Sequence, residues 1–116
     1  ARQFIAKDYE QHIIPFNQTY RGIDGYVQAN RFWLNAFPDV RLDVENLIGS
    51  GDLVVVEAVG RGTHQGALEV PGGKLEATGK HVDLPICLVW QFRNGVLYRD
   101  RHYFDSSSLL QRIGAR

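Results

Sequence analysis

The sequence predicts an α+β fold on three observations. Apolar residues recur at helical spacing up to Pro38, alternate at strand spacing from Asp39 to Asp105, and end in a short capped helix after Asp105. The opening Arg2–Asp8 segment reads as the end of a helix. After the Pro15 and Arg21-Gly22 punctuation, Ile23, Tyr26, Val27, Trp33, Leu34 and Phe37 share one helical face. Pro38 closes that helix, because its ring disfavours the helical conformation of the residue before it.

From Asp39 the period becomes two. Val40, Leu42 and Val44 alternate with Arg41, Asp43 and Glu45 in a half-buried strand reaching about Ile48. Gly49-Ser50-Gly51-Asp52 is a turn, so this strand pairs as a hairpin with the β-rich run Leu53–Thr63. Gln65–Gly79, rich in Gly, reads as a lid or a disordered crossing. His81–Arg93 and Val96–Asp105 flank Asn94-Gly95, which supplies the positive φ angles of a tight hairpin. Asp105 with Ser106, Ser107 and Ser108 caps a last helix carrying Leu109, Leu110 and Ile113, closed by Gly114. The expected architecture is a four-stranded antiparallel sheet with segregated helices, in a single domain spanning residues 1–116.

Composition narrows the partners. The chain has 116 residues, 44% hydrophobic and 22% charged, with 13 Lys+Arg against 13 Asp+Glu and no net charge. That balance leaves no electrostatic footprint for nucleic acid or anionic membrane. No apolar stretch approaches the roughly 20 residues of a membrane span, and no signal segment opens the chain. The single Cys87 cannot form an intramolecular disulfide or supply a thiol pair for zinc, which suits a cytoplasmic location. The sequence contains no Met, so Ala1 is not a native start and further chain is expected upstream.

Two strands carry the functional signal. In Leu53–Thr63, Val54, Val56, Ala58, Gly60, Gly62 and His64 share one face, whose small residues leave volume for a cavity with His64 at its edge. The same glycines also fit a bulge where the sheet curls, and both readings stay open. In the last strand Tyr98, Asp100, His102 and Phe104 form one face, and Leu97, Arg99, Arg101 and Tyr103 the other. Arginines are rarely buried unpaired, so the Asp100/His102 face is expected to look inward. A carboxylate beside an imidazole stabilises the imidazolium and fixes its tautomer, as general acid–base chemistry requires; a merely hydrogen-bonded Asp–His pair is the alternative.

Other positions signal less. His12 and His81 are read as solvated loop residues, and Trp33 and Trp90 as core. Pro71-Gly72-Gly73-Lys74 lacks the spacing of a phosphate loop, and Asn17-Gln18-Thr19 matches a glycosylation acceptor without a secretory signal.

Several phrases in order resemble the SnoaL-like polyketide cyclases of the nuclear-transport-factor-2-like superfamily. They are Asp8-Tyr9-Glu10-Gln11-His12, Ala36-Phe37-Pro38-Asp39-Val40-Arg41, Arg61-Gly62-Thr63-His64-Gln65-Gly66, Phe92-Arg93-Asn94-Gly95, Tyr103-Phe104-Asp105 and Leu110-Gln111-Arg112-Ile113-Gly114. The resemblance implies a cone in which a strongly curved antiparallel sheet wraps around helices and encloses an apolar pocket. It also implies a homodimer formed through the outer sheet face. A full helix usually precedes the segment matching Phe4 to His12; with only its last part present, the pocket is open or covered by a neighbouring chain.

The better-known members close a ring by an intramolecular aldol reaction without metal or organic cofactor, using an aspartate on the last strand. His102 occupies that aspartate's position here. The resemblance therefore implies a cofactor-independent cyclase, isomerase or lyase acting on a small, largely apolar, carbonyl-bearing molecule. His102 would be the acid/base, Asp100 its partner and His64 an orienting donor across the cavity. Trp33, Trp90, Tyr98 and Phe104 would supply apolar walls, with His12 and Ala58 as further substrate contacts. A non-catalytic ligand-binding or dimerisation module is the rival reading, and a dehydratase or epoxide hydrolase a second one.

Overall fold

The computed structural model describes residues 4–114. Its elements are β1 (Ile5–Ile13), a 3-10 turn (Ile14–Phe16), β2 (Gln18–Arg21), α1 (Gly22–Ala36), β3 (Arg41–Ser50), β4 (Leu53–Thr63), β5 (Leu68–Val70), β6 (Gly73–Leu75), β7 (His81–Arg93), β8 (Val96–Tyr103) and α2 (Ser106–Arg112). Two helices accompany a curved six-stranded sheet in the order β2-β1-β8-β7-β4-β3, with β5 and β6 forming a separate hairpin. The α+β expectation holds, with a larger sheet than the sequence suggested.

The extra strands both precede α1, and the first begins within the segment expected to end a helix. Arg2 and Gln3 lie outside the described residues; from Ile5 the chain is strand, not helix. Tyr9, Gln11 and Ile13 are buried while Glu10 and His12 are half-exposed, the period of a strand with one face on the core. β1 runs parallel to β8, placing Gln11 beside Asp100 and Ile13 beside His102. Asn17, in the left-handed region at φ 51°, reverses the chain so that β2 returns antiparallel along β1. His12 consequently lies on a strand, not in a loop.

α1 ends at Ala36, with Phe37 bonded back to the Trp33 carbonyl just before Pro38, as expected. Its Ala29 and Ala36 are buried, and Phe32 and Trp33 pack against the main core of Ile13, Phe16, Phe37, Leu84, Leu109 and Ile113. α2 begins at the expected cap: Asp105 accepts hydrogen bonds from the Ser107 and Ser108 amides.

Gln65–Gly79 is neither lid nor disordered crossing. It folds as the β5–β6 hairpin, whose Leu68 is buried in the main core. The Gln65 and Gly66 amides both donate to the Ala36 carbonyl at 3.0 and 3.1 Å, fastening this segment to the end of α1. Gly66 allows that approach: a Cβ there would lie 1.8 Å from the Asn35 carbonyl oxygen.

The bulge reading of β4 is also settled. β4 pairs with β7 without a register shift from Leu53↔Gln91 to Thr63↔His81, so Gly60 and Gly62 interrupt nothing. The irregularities are on other strands. β3 bulges at Glu45, between Val44↔Ala58 and Asn46↔Glu57. β8 bulges at Tyr98, between Gln91↔Arg99 and Phe92↔Leu97. Among the described residues no helix is long and apolar enough to cross a membrane.

Candidate active site

The site begins with strand register. Asp100 lies opposite Trp90 and His102 opposite Leu88, so both point to the sheet face covered by α1. Their side chains are 10% and 13% exposed, and His102 Nε2 lies 3.1 Å from Asp100 Oδ2. An ionised carboxylate can only accept, so Nε2 is the donor of this bond. In the neutral ring Nδ1 then carries the free lone pair. Among the described residues that buried atom has no partner, and neither has the buried Asp100 Oδ1.

His102 lines a cavity of about 380 Å³ between α1 and the sheet. The remaining wall is mostly apolar: Trp33 and Leu34 from α1, Leu84 and Leu88 from β7, and Phe104 after β8 all line it. Gly60 and Gly62 on β4 border it as the small-residue face suggested. Gly62 accommodates Phe37, whose Cβ would lie 3.0 Å from an added methyl, whereas Gly60 faces open space with only the Leu84 carbonyl oxygen at 3.8 Å. The volume falls within the roughly 300–1,000 Å³ of small-molecule sites.

Of the expected wall residues, Trp33 and Phe104 line this cavity, packed edge to face with centroids 5.8 Å apart. Trp90 packs instead with Val54, Val56, Ala58, Ile86 and Leu88 in a second apolar cluster farther along the sheet, and Ala58 is buried there. Tyr98 is removed from the inner face by its bulge: the guanidinium carbons of Arg93 and Arg99 stand 4.6 and 5.7 Å from its ring centroid. His12 lies on the alternate face of β1, with Nδ1 3.1 Å from Thr19 Oγ1 and Nε2 3.3 Å from Glu10 Oε1.

His64 does not face His102 across the cavity. It follows the last residue of β4 and is fully buried, its ring against Phe37 with centroids 5.5 Å apart. Nδ1 accepts from the Thr78 amide at 3.3 Å and lies 3.0 Å from Thr78 Oγ1. Burial pushes its pKa down, opposed in part by the Gly66 backbone, so it is a neutral ring clamping the β5–β6 segment.

Two contributors escaped the sequence reading. Tyr9 and Gln11 sit on β1 behind Asp100. The Tyr9 hydroxyl is 3.3 Å from Asp100 Oδ2 and 2.8 Å from Gln11 Oε1. The alternation of Tyr9, Gln11 and Ile13 with Glu10 and His12 was the signal for them. Among the described residues, no cluster of three or more His, Cys, Asp or Glu side chains has the arrangement of a metal site.

Comparison with known proteins agrees with this architecture. No curated protein matches the sequence. A putative SnoaL-like polyketide cyclase from Jannaschia sp. CCS1 is similar in structure, with TM-score 0.87 and 24% identity over 99% of this chain and 76% of the other. IdmH, a putative polyketide cyclase from Streptomyces antibioticus, superposes with TM-score 0.76 and 25% identity over 97% and 84% of the two chains. A hypothetical protein of ketosteroid isomerase-like fold from Catenulispora acidiphila DSM 44928, solved with trimethylamine, gives TM-score 0.80 and 19% identity over 97% and 78%. The model of the SnoaL-like polyketide cyclase family matches residues 1–113, and the chain belongs to that family.

Proposed function

We propose that the protein is a cofactor-independent acid/base enzyme of the cyclase or isomerase type, acting on a small, largely apolar, carbonyl-bearing molecule held in the 380 Å³ cavity. The observation that carries the reading is His102 Nδ1: buried, unpartnered and belonging to a ring that lines the cavity. With Nε2–H bound to Asp100, neutral His102 takes a proton at Nδ1 from carbon next to a substrate carbonyl. The resulting imidazolium is held by the Asp100 carboxylate and returns the proton to the product. Trp33 and Phe104 offer the flat apolar contact that orients such a substrate.

A screen of enolisable ketones and keto-esters for turnover, followed by His102→Ala, tests it. The variant is expected to lose at least about 100-fold in kcat with its fold retained, the scale of a removed general base. Unchanged turnover sinks the assignment, and product analysis separates isomerisation or ring closure from dehydration and epoxide hydrolysis. The second reading, a ligand-binding module without chemistry, is favoured by one observation: histidine replaces the aspartate of the better-known family members. Tight binding of the same ketones without turnover by the unmodified protein would establish it.

A further inference from the structure

Asp100 is 7% exposed and among the described residues has no Lys or Arg partner. A buried carboxylate depends on the donors that reach it. Here these are His102 Nε2–H at 3.1 Å and the Tyr9 hydroxyl at 3.3 Å, both on Oδ2. Tyr9 is 1% exposed, and its ring is fixed by an edge-to-face contact with Tyr26 of α1, 5.7 Å between centroids at 84°. Its one proton has two acceptors, Asp100 Oδ2 and, at 2.8 Å, Gln11 Oε1. A half-turn of the Gln11 amide would present NH₂ to the phenol oxygen and release the proton to the carboxylate, where a charged acceptor binds it more strongly. The chain Gln11 to Tyr9 to Asp100 from one side, and His102 to Asp100 from the other, then gives the phenol and imidazole protons the same charged acceptor.

We propose that Tyr9 is the positioning residue of the Asp100–His102 pair: by hydrogen-bonding the carboxylate it keeps the His102 proton on Nε2 and leaves Nδ1 as the bare nitrogen of the ring. Without the phenol, Asp100 has a single donor and can rotate away from Nε2, and the imidazole loses the bias that selects its tautomer. Burial and the Asp100 charge both hold the Tyr9 hydroxyl well above the ordinary phenol range, so it remains a donor at neutral pH. The inference rests on the acid/base reading for its role in catalysis, but the tautomer can be measured without substrate.

The test is nitrogen-15 NMR of the histidine rings at a pH where His102 is neutral, in the full chain with Tyr9→Phe and Gln11→Leu. Unmodified protein should show His102 protonated at Nε2 and bare at Nδ1. Tyr9→Phe should lower the ratio of the two tautomers by roughly tenfold, the scale of one lost charge-assisted hydrogen bond. Gln11→Leu removes the phenol's other hydrogen-bond partner and should preserve the pattern of the unmodified protein, which separates positioning from general disturbance of the buried site. A Tyr9→Phe spectrum with the unmodified His102 pattern, or a Gln11→Leu spectrum as mixed as that of Tyr9→Phe, overturns the proposal. The expected tautomers with no turnover of any screened ketone would leave Tyr9 positioning intact and remove the enzyme reading. Turnover that needs His102 but is accompanied by an unchanged Tyr9→Phe spectrum would do the reverse.

Discussion

His64 is a fully buried imidazole and His102 a half-buried one, and their surroundings separate them further. His102 has a carboxylate on one nitrogen and the cavity beside its ring; His64 is sealed between Phe37 and Thr78. Because burial lowers the His64 pKa, the unfolded chain binds more protons at this site as pH falls below the ordinary histidine value of about 6.5. Its contribution to stability is therefore complete above about pH 6.5 and declines as pH drops toward the lowered folded value. Chemical denaturation at about pH 7.5 and about pH 5 should show the loss. His64→Phe should be about 1 kcal/mol less stable at the higher pH, from the unpaired Thr78 amide, and less sensitive to acid than the unmodified protein. Equal acid sensitivity in the two proteins would contradict this account. Period-two reading placed Asp100 and His102 together because two residues on one strand share a face whatever the sheet does. It could not place His64, which lies past the end of β4, where direction is decided by the bonds Gln65 and Gly66 make to Ala36.

At the scale of elements, glycines on and after β4 have different physical duties. Gly60 leaves space over Leu84, whereas Gly66 permits backbone contact with Asn35. Gly60→Val should fold with stability within about 1 kcal/mol of the unmodified protein, since a β-branched residue suits a strand and meets no clash. It should lose affinity for any ketone found by the screen, measured by calorimetric titration. Gly66→Ala should lose about 1–3 kcal/mol of stability because backbone must move. A Gly60→Val protein binding as well as the original would show that this part of the cavity is not occupied. The hairpins β3–β4 and β7–β8 were legible because each is local: turn residues and alternation reside in adjacent sequence. β1 was not, because its partner β8 lies some ninety residues away and parallel pairing leaves no turn signature. The Tyr98 bulge was equally hidden; one extra residue redirects a side chain without changing the composition of the strand.

Across the whole molecule, the helices cover only part of the sheet. The inner face of β3 carries Leu42, Val44 and Leu47, exposed by 41%, 53% and 64%, which extends apolar surface outward from the exposed cavity-lining residues Leu34, Val40 and Leu42. An apolar molecule would meet compatible surface before reaching His102. The outer sheet face is the side of Arg99 and Arg101 and lies opposite the imidazole. Net neutrality agrees with the proposed function, in which recognition belongs to an interior cavity and not to a charged exterior. The central claim is that His102 Nδ1 is the polar atom a bound ligand engages. The most direct measurement is a crystal structure with a ligand retained from expression or with a ketone from the screen. The account predicts ligand density against Trp33 and Phe104, with an oxygen or acidic carbon within about 3.5 Å of His102 Nδ1. A ligand bound elsewhere, or one in the cavity that leaves Nδ1 without a partner, would contradict it.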